Sequence, residues 1–465
     1  MTGSPAPVAR AGIVGLGYMG LATGLAFSTR GAQVYGFDIN PETLDAVARG
    51  SCPYKEKALP SLLRSQVRSG RFRAVKSLDE LVVKSHGIFL CVPTPSRRDG
   101  HIDLRPLKRC SRDVGRALKV VSGFRVIVVK STVVPGTTEG IVGPLVHAAS
   151  GRTPQEVSLA SNPEFLAEGT MVHDALFPER VVIGTTDARA LRWLRQIYRP
   201  FHAPVLNLTP SGAELVKYSA NAFLALKVSF ANEISRISDR LGVNVDSVLN
   251  AVGKDSRIGG RFLRAGPGFG GSCFEKDIRA LVARADELKV KFRSGETALL
   301  INQEQERYVV DLIRTALGHI KGSTIALLGL AFKAGTDDVR ESRALILARD
   351  LLDRGAAVRC HDPAARQNFR RLWVSRYSSL DPSLAICETV ERTIENADAV
   401  IVQADWPVYV RWHREWTRRL KQPLLIDLRR AINPRAPGCA GLVVIGLGSG
   451  NIPGRRRSIA GGGSN

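Results

Sequence analysis

Short apolar runs alternate with amphipathic stretches of helical period through the N-terminal part of the chain. The runs lie at residues 12–16, 33–37, 87–92, 126–129 and 181–183. They are too short for independent helices, and polar or glycine-containing turns follow them. Apolar strands that alternate with amphipathic helices are typical of βαβ units around a parallel sheet. The pattern therefore predicts a Rossmann-like domain at the N-terminus.

A different pattern occupies the centre of the chain. Residues 211–241 keep a helical period with few breakers, which predicts one long helix. From residue 323 the apolar runs return, at 324–328, 357–360, 399–402 and 424–427. We therefore predict an α/β protein with two Rossmann-like doubly wound domains joined by a central helical region. The predicted boundaries are 1–205, 206–310 and 311–453, followed by a disordered basic tail at 454–465.

The formal net charge of the 465-residue chain is +23, which raises nucleic-acid binding as a first alternative. The excess is mostly arginine and is scattered along the chain, with only short runs such as Arg455 to Arg457. A basic protein of this kind also suits an anionic substrate. We therefore do not predict a nucleic-acid partner.

Seven cysteines are spread singly along the chain, without a C-x-x-C pair. This spacing argues against a disulfide framework and against a zinc site, and it favours a reducing, cytoplasmic compartment. No metal ion is predicted. The apolar runs are broken by charge, so neither a transmembrane helix nor a membrane partner is expected.

The segment GIVGLGYMG contains the pattern G-x-G-x-x-G at Gly15, Gly17 and Gly20. Here the glycines follow an apolar strand and open a helix, where they permit a tight turn and close approach to a pyrophosphate. Asp38 ends the next predicted strand, where a carboxylate accepts hydrogen bonds from the ribose hydroxyls and repels a 2′-phosphate. The combination predicts an NAD site; the alternative is a glycine-rich turn with a helix-capping aspartate.

Polar residues follow two further predicted strands. Thr132 lies in VVVKSTVVPGT, at the strand edge where open α/β sheets bind ligands. Glu164 and Glu168 lie in SNPEFLAEG, and the Asn-Pro pair that precedes them predicts a helix on which the two carboxylates share a face. The alternatives are a Ser/Thr cap and acidic residues that complement a helix dipole.

Two polar residues interrupt the apolar character of the long central helix. Lys217 and Asn221 are four residues apart, so both side chains point the same way. A lysine and an asparagine in such a helix are costly unless they are paired, and together they can stabilise a developing oxyanion. The alternative is a lysine that extends along the helix edge to solvent.

The segment GPGFGGSCFEKD, at residues 266–277, places one cysteine behind a glycine-rich turn. If a helix begins near Cys273, its dipole and Lys276 both favour the thiolate, and Asp277 projects toward the same face. The glycines indicate that something approaches this backbone closely. The alternative is a packed thiol in a tight turn.

With these residues in place, the chain resembles the UDP-glucose/GDP-mannose dehydrogenase family of nucleotide-sugar dehydrogenases, and within it the glucose branch. The markers occur in the order GLGYMG, VPTP, KSTVVPGT, NPEFLAEG, KYSANAFLA, GFGGSCFEKD, GLAFKAGTDDVRES and DLRR. The resemblance implies NAD-dependent, four-electron oxidation of a sugar C6 alcohol to a carboxylate. It implies UDP-glucose as the substrate, with dTDP-glucose, GDP-mannose or a UDP-N-acetylhexosamine as alternatives.

The resemblance also assigns roles to residues of this chain. Cys273 is the nucleophile that carries a thiohemiacetal and then a thioester, because a second hydride can leave only from a tetrahedral carbon. Lys217 and Asn221 stabilise oxyanions at C6. The remaining catalytic residues, which manage the proton and the hydrolytic water, are Asp277, Glu164 and Thr132.

The binding residues implied by the resemblance form two sets. The cofactor contacts are Gly15, Gly17, Tyr18, Met19, Gly20, Asp38, Pro93, Thr94, Thr132, Glu168, Lys276 and Arg340. The substrate contacts are Glu164, Phe165, Leu166, Lys217, Asn221, Arg257, Phe262, Arg264, Gly270, Phe332, Lys333 and Arg429. The long helix is expected to form a homodimer, with Arg257 reaching across the interface to the partner's sugar.

Two residues depart from the family pattern. Thr43 stands where relatives carry Lys or Arg, which predicts a weaker contact to a cofactor phosphate. Glu275 replaces the common Pro of the cysteine motif and adds a negative charge near the predicted thiolate. A two-electron hydroxyacid dehydrogenase and a non-catalytic NAD-binding sensor remain as alternatives, although neither needs Cys273.

Overall fold

The computed structural model describes residues 8–54 and 56–450. These residues form two compact units, the first made of residues up to Ala220 together with Arg279–Lys291. The second is made of Asn221–Ile278 and of the residues from Phe292 onward. The predicted tail at 454–465 lies outside the described residues.

The first unit is built on an eight-stranded sheet. Its strand order is β3-β2-β1-β4-β5-β6-β7-β8, and its pairs are parallel except for β6 and β7, which meet antiparallel at Ser161 and Gly184. The strands are β1 (Arg10–Val14), β2 (Gln33–Phe37), β3 (Phe72–Ala74), β4 (Gly87–Leu90), β5 (Arg125–Val129), β6 (Val157–Ser161), β7 (Val181–Gly184) and β8 (Val205–Leu208).

Helices connect these strands and cover the sheet, because both faces of a parallel sheet must be buried. They are α1 (Tyr18–Thr29), α2 (Pro41–Ala48), α3 (Leu59–Arg68), α4 (Leu78–Lys84), α5 (Arg105–Ala117), α6 (Gly143–Ser150), α7 (Met171–Leu176) and α8 (Ala188–Tyr198). The central strands β4 and β5 are buried at every position, which explains their continuous apolar sequences. Phe27, Phe89 and Tyr198 pack in the core of this unit.

The central region is helical, as predicted. Its helices are α9 (Pro210–Leu241), α10 (Val245–Gly253), α11 (Phe274–Glu287) and α12 (Arg293–Leu317). The long helix α9 starts within one residue of its predicted position and ends at the predicted residue. Its length of 32 residues corresponds to roughly 48 Å at 1.5 Å per residue.

The second unit contains a six-stranded, fully parallel sheet of order β11-β10-β9-β12-β13-β14. The strands are β9 (Thr324–Leu328), β10 (Ala357–His361), β11 (Leu384–Ile386), β12 (Ala399–Val402), β13 (Leu424–Asp427) and β14 (Val443–Gly446). The helices that follow α12 are α13 (Arg343–Asp353), α14 (Arg366–Tyr377), α15 (Val390–Ile394), α16 (Pro407–Val410) and α17 (Arg414–Arg419). Trp373 and Phe369 are fully buried on one side of this sheet, and Tyr409 belongs to a second apolar cluster.

The order of strands in both sheets confirms two Rossmann-like doubly wound folds, with β3-β2-β1-β4-β5-β6 reproducing the dinucleotide-binding arrangement. All nine predicted strands are present. The prediction missed β3, β6, β8, β11 and β14. No helix within residues 8–54 and 56–450 is long and apolar enough to cross a membrane.

Candidate active site

The turn between β1 and α1 has the geometry that the glycine pattern predicts. Gly15 has a φ of +95°, and its N–H donates to the Phe37 carbonyl at 2.9 Å, so the turn is joined to β2. A Cβ on Gly20 would lie 1.9 Å from the Gly15 carbonyl oxygen, whereas a Cβ on Gly17 would meet nothing within 4 Å. Gly15 and Gly20 are thus needed for the turn itself. Gly17 leaves the start of α1 open to a ligand.

Asp38, at the end of β2, is held by two backbone N–H groups. Its carboxylate accepts from Leu16 at 2.7 Å and from Asn40 at 2.9 Å. Tyr54 donates to the Leu16 carbonyl at 2.9 Å, and its ring lies 4.4 Å from that of Tyr18. Burial, and then the charge of Asp38, raise the pKa of Tyr54. These contacts fix a carboxylate beside the glycine turn, which fits the ribose of a dinucleotide.

The segment after Asp38 shows how the Thr43 departure is accommodated. Asn40 caps α2 by accepting from the N–H groups of Glu42 and Thr43 at 2.9 and 3.4 Å. The Thr43 side chain lowers the pKa of Tyr54, against the larger effects of burial and Asp38. Thr43 therefore belongs to the local packing beside Asp38 rather than presenting a positive charge there.

The loops after β4 and β5 are joined by hydroxyl groups. Thr94 donates to the Thr132 carbonyl at 2.8 Å, and Ser131 donates to the Val92 carbonyl at 2.6 Å. Pro93 lies between the two contacts in sequence. The hydroxyl-rich strand ends thus position the VPTP and KSTVVPGT segments against each other at the carboxyl edge of the sheet.

Glu164 lies in a loop rather than on a helix, so the predicted helix with Glu164 and Glu168 on one face is wrong. The Leu166 N–H donates to Glu164 Oε2 at 2.6 Å, which turns the chain back on itself. Glu168 lies in a separate turn before α7, where Asp174 accepts from the Ala167 N–H at 3.0 Å. Side-chain carboxylates thus take backbone N–H groups and keep this segment out of a helix.

Glu164 forms a buried ion pair with Lys217. Lys217 Nζ lies 2.9 Å from Glu164 Oε1, and the two side chains are only 6% and 13% exposed. Burial alone would raise the pKa of Glu164, but the charge of Lys217 and the hydrogen bonds from Lys217 and Leu166 outweigh it and lower this pKa. The Lys217 ammonium also lies 5.6 Å from the centre of the Phe165 ring, which Arg180 covers at 4.2 Å.

A buried network that the sequence did not single out lies at the base of the Glu164 loop. Lys130 Nζ donates to Asn162 Oδ1 at 3.0 Å and to the Tyr198 hydroxyl at 3.3 Å. Tyr198 in turn donates to Asn162 Oδ1 at 2.5 Å, and Asn162 Nδ2 donates to the Val182 carbonyl at 2.7 Å. Burial lowers the pKa of Lys130 to about 8. The sequence contained one indication of this network, namely a lysine directly after a continuous apolar strand.

Glu214 is a second buried group that the prediction missed. It accepts from the N–H groups of Gly136 and Thr138 at 2.6 and 2.8 Å and from the Thr138 hydroxyl at 2.6 Å. Burial raises its pKa. One carboxylate at the start of α9 therefore holds the loop that follows Thr132.

Further along α9, Asn221 contacts Asp277; both residues belong to the second unit. Asn221 Nδ2 donates to Asp277 Oδ2 at 2.6 Å, and Lys276 Nζ lies 2.5 Å from Asp277 Oδ1. Asp277 is 2% exposed and Asn221 is 7% exposed. The carboxylate therefore has a neutral donor on one oxygen and an ammonium on the other. The charge of Lys276 is directed at Asp277.

Cys273 immediately precedes α11, which confirms the predicted helix start. Its carbonyl accepts the first helical hydrogen bond from the Asp277 N–H at 2.9 Å. The residue is exposed, and its Sγ lies 3.6 Å from the Ser272 hydroxyl. An exposed thiol at a helix N-terminus has the two properties of a reactive cysteine, access and a favourable dipole.

The glycine-rich loop before Cys273 is fixed by α12. Asn302 accepts from the Phe269 N–H at 2.8 Å and donates to the Phe269 carbonyl at 3.1 Å. Gln305 donates to the Gly266 carbonyl at 2.8 Å. On another side the Gly271 N–H donates to the Arg340 carbonyl at 3.1 Å, and a Cβ on Gly270 would lie 2.3 Å from the Glu341 carbonyl oxygen. The close approach predicted from the glycines is, at these positions, an approach by the protein's own backbone.

The predicted nucleotide-sugar residues of the second unit meet around Arg429. Arg429 donates to the carbonyls of Gln403 and Phe332 at 2.6 and 2.8 Å, and burial lowers the pKa of its guanidinium. Arg264 donates to the Arg429 carbonyl at 2.6 Å. Lys333 lies 5.5 Å from the Phe332 ring centre. These groups form one positively charged region at the carboxyl ends of β9, β12 and β13.

Three other predicted residues lie on exposed loops of the second unit. Arg257 pairs with Asp255 at 2.7 Å and is 87% exposed. Arg340 pairs with Asp338 at 2.7 Å. Phe262 has a φ of +66°, a conformation that a bulky residue rarely adopts. The strain at Phe262 marks the 262–264 loop as one that the surrounding structure must hold in place.

One cleft of the first unit, about 760 Å³ in volume, is lined by none of the predicted site residues. Two of its arginines are paired within the protein, since Arg105 contacts Asp103 and Arg284 contacts Glu287, both at 2.6 Å. Among the described residues, no cluster of His, Cys, Asp and Glu could hold a metal ion. The candidate site described above is therefore made of buried polar groups that lie outside this cleft.

Three domain models of one protein family match successive parts of the chain. Residues 9–202, 211–304 and 326–434 match the NAD binding, central and UDP binding domains of the UDP-glucose/GDP-mannose dehydrogenase family.

The chain is 37% identical to UDP-glucose 6-dehydrogenase YwqF of Bacillus subtilis (strain 168), over 85% of this chain and 87% of that protein. It is 38% identical to a UDP-glucose 6-dehydrogenase of Rhizobium meliloti (strain 1021), over 90% and 94% of the two chains. A solved UDP-glucose dehydrogenase from the archaeon Pyrobaculum islandicum superimposes with a TM-score of 0.86 and 37% identity, covering 96% of this chain and 99% of that one.

Proposed function

The chain belongs to the UDP-glucose/GDP-mannose dehydrogenase family, and on that premise we propose that it is an NAD-dependent UDP-glucose 6-dehydrogenase. The proposed reaction converts the C6 alcohol of UDP-glucose into the carboxylate of UDP-glucuronate. The observation that carries this proposal is the thiol of Cys273 at the start of α11, on the helix whose buried Asp277 is held by Asn221 and Lys276. A simple alcohol dehydrogenase has no use for such a thiol.

The cofactor site is proposed on the first sheet. The open side of Gly17 and the N-terminus of α1 suit a pyrophosphate, and the Asp38 carboxylate suits the ribose hydroxyls. The other proposed cofactor contacts are Gly15, Tyr18, Met19, Gly20, Pro93, Thr94, Thr132, Glu168, Lys276 and Arg340. A bound NAD would supply the hydride acceptor, and one molecule of it would be consumed at each of the two oxidations of C6.

The residues of the chain handle the sugar carbon between those oxidations. Loss of the O6 proton and of a hydride from C6 leaves an aldehyde, to which the Cys273 thiolate adds. The carbon–sulfur bond forms as the carbonyl π electrons move to O6, which Lys217 and Asn221 stabilise as an oxyanion. Loss of the second hydride gives a thioester. Attack of water on the thioester then releases the carboxylate and restores the thiol.

The handling of the proton and of the hydrolytic water is proposed for the carboxylates. Asp277 already accepts hydrogen bonds on both oxygens, which suits a group that keeps a water or an ammonium in one orientation. The lowered pKa of Glu164 keeps this carboxylate ionised at neutral pH, so it can accept hydrogen bonds from Lys217 and from a water. Thr132 is proposed to orient the hydrolytic water with them.

The nucleotide-sugar is proposed to bind to the positively charged side chains of the second unit. Arg429 is fixed by two carbonyls, and Arg264 and Lys333 add positive charge beside it, which suits a diphosphate. The other proposed substrate contacts are Glu164, Phe165, Leu166, Lys217, Asn221, Arg257, Phe262, Gly270 and Phe332. The same chemistry on another nucleotide-hexose is the second candidate, because these contacts recognise diphosphate more directly than a base.

A substrate panel tests the proposal. Purified protein with NAD is offered UDP-glucose, dTDP-glucose, GDP-mannose and UDP-N-acetylglucosamine at equal concentration, and kcat/KM is measured for each. We expect UDP-glucose to give the highest value and a uronate product identified by mass spectrometry. NAD reduction with a different nucleotide-sugar alone would move the proposal to that substrate, and reduction with none would refute it.

A homodimer is proposed through α9. Phe223, Phe230 and Ile237 recur at intervals of seven residues along this helix and are 62%, 45% and 53% exposed. Exposed apolar residues with this period are typical of a helix that packs against another one. Arg257, which is also exposed, is proposed to reach the partner's sugar. We also propose a cytoplasmic location and the three-domain division at residues 205, 310 and 453.

A further inference from the structure

The loop that carries Glu164 has no helix or strand of its own. Residues 162–167 follow β6 without regular backbone pairing, and the Asn162 N–H makes the last backbone link to the sheet by donating to the Val129 carbonyl at 2.9 Å. Pro163 comes next, and its ring fixes φ and leaves no N–H to donate. The direction in which the chain leaves the sheet toward Glu164 is therefore set at Asn162.

Two buried side chains and one strand carbonyl hold the Asn162 amide. Its oxygen accepts from Lys130 Nζ at 3.0 Å and from the Tyr198 hydroxyl at 2.5 Å. Its Nδ2 donates to the Val182 carbonyl at 2.7 Å. Lys130 Nζ also donates to the Tyr198 hydroxyl at 3.3 Å, so the lysine contacts both other side chains of the network. The charged member of this network is Lys130.

A lysine in this position is unfavourable for stability. Lys130 is 6% exposed, and across residues 8–54 and 56–450 no carboxylate pairs directly with its ammonium. Burial lowers the pKa of Lys130, and the charges of Cys91 and Glu164 act against that effect. In turn, burial raises the pKa of Glu164, while the charges of Lys217 and Lys130 lower it. The carboxylate whose charge acts on Lys130 is thus that of Glu164, on the loop that Lys130 holds through Asn162.

We propose that Lys130 is a positioning residue for Glu164: by donating to Asn162 and Tyr198 it fixes the start of the loop and so holds the Glu164 carboxylate against Lys217. The proposal rests on the proposed role of Glu164 in the oxidation of the sugar. Glu164 Oε1 lies 2.9 Å from Lys217 Nζ, and Oε2 accepts from the Leu166 N–H at 2.6 Å, so a displaced loop changes both contacts.

Hydrogen exchange at two neighbouring amides tests the proposal without substrate or cofactor. The Leu166 N–H donates to Glu164, whereas the next amide, that of Ala167, donates to Asp174 at 3.0 Å. The ratio of the two exchange rates therefore reports whether Glu164 keeps its place, since a general loss of stability changes both rates together. The rates are measured in the full-length protein by mass spectrometry, with fragmentation that localises deuterium to single residues.

The variants are K130M, Y198F and a matched control, R152M. Methionine keeps the length of the lysine stem but donates no hydrogen bond, and Y198F removes the other donor to Asn162. Arg152 is also a buried cation of the first unit, and it donates to the Val121 and Gly123 carbonyls. These carbonyls precede β5, whereas Lys130 follows it, so the control lies at the opposite edge of the sheet.

We expect the two buried cations to behave differently. In K130M the Leu166 amide should exchange on the order of tenfold faster relative to the Ala167 amide, because Glu164 is no longer held as its acceptor. Y198F should change the ratio in the same direction. R152M should leave the ratio within about twofold of the wild-type value, since any loss of stability is shared by both amides.

Turnover of UDP-glucose gives a second readout. K130M should lower kcat on the order of tenfold with KM for NAD within about twofold, because the site and not the cofactor turn is displaced. In the E164Q background K130M should lower kcat by less than about twofold, since a residue that acts through Glu164 then has nothing left to position. Folded R152M should keep kcat within about twofold of the wild type.

Two outcomes overturn the proposal. One is an unchanged ratio of Leu166 to Ala167 exchange in folded K130M. The other is a loss of kcat from K130M that is as large in the E164Q background as in the wild type. If K130M does not fold, the exchange ratio in Y198F decides in its place. If the wild type does not oxidise UDP-glucose, the proposed function fails, while the exchange ratios still test Lys130.

Discussion

The buried ion pair between Lys217 and Glu164 makes a prediction that can be worked out from its geometry. In K217M the Glu164 carboxylate stays buried without its ammonium partner. Removing one member of a buried pair costs about 3–5 kcal/mol of stability. The Leu166 N–H still donates to Glu164 at 2.6 Å, and Lys130 still contributes charge. We therefore expect the lower end of that range, about 3 kcal/mol.

The pH dependence has a definite sign. In the wild type the pKa of Glu164 lies below its usual value of 4.5, so the carboxylate stabilises the fold above that pH and this contribution is lost as the pH falls. In K217M burial dominates and raises the pKa of Glu164, so the group destabilises the fold as the pH rises. The difference between the two proteins should be largest at neutral pH and smaller near pH 4.

Native-state hydrogen exchange of peptides from β5 and β6 is the assay, because it reports on the first unit by itself. A loss of about 3 kcal/mol corresponds to exchange roughly a hundredfold faster for amides that open with this unit. K84M is the matched control: it removes an exposed ammonium that lies 2.6 Å from Glu80 in the same unit. Its expected cost is below about 1 kcal/mol. Equal effects of K217M and K84M at neutral pH would show that the buried Lys217–Glu164 pair stabilises the fold no more than an exposed pair does.

Three further predictions use other parts of the structure. Asp38→Ala should raise KM for NAD on the order of tenfold with UDP-glucose KM unchanged, since it removes the carboxylate held beside the glycine turn; equal changes in both would contradict that assignment. In the wild type the free energy of unfolding should rise by on the order of 3 kcal/mol between pH 8 and 10.5, because the buried Lys130 is disfavoured while it is charged. Lys130→Met should abolish this rise. Denaturant unfolding at both pH values measures it, and an equal rise in wild type and variant would contradict the prediction. Phe230→Lys should weaken a dimer by tenfold or more in sedimentation experiments and leave the circular dichroism unchanged, and an unaltered dimer would exclude α9 as the interface.

Much of the fold was predictable because the central strands of parallel sheets are apolar at every position. The strands β4, β5 and β12 are buried throughout, and their sequences show it. The strands that were missed lie at sheet edges or carry polar residues: β3 has three residues, and Val205–Leu208 is mostly exposed. For such strands the neighbouring strand, and not the local sequence, decides the conformation.

The candidate site also contains some features that the local sequence predicts and others that it does not. The glycine turn, Asp38 and the helix start after Cys273 follow from local sequence rules, and the structure agrees with each. The helix predicted for Glu164 and Glu168 failed because side-chain carboxylates capture backbone N–H groups in this segment. Partners distant in sequence were not predictable, since Lys217 is 53 residues from Glu164, and neither residue alone indicates the pair.

We propose that one chain removes two hydrides from the same carbon through Cys273. The most direct test supplies a limited amount of UDP-glucose with excess NAD and counts the NADH formed for each sugar consumed, with C273S beside the wild type. We expect two NADH per sugar for the wild type, and loss of turnover or a halt at the aldehyde for C273S. One NADH per sugar in the wild type, or full activity in C273S, would contradict it.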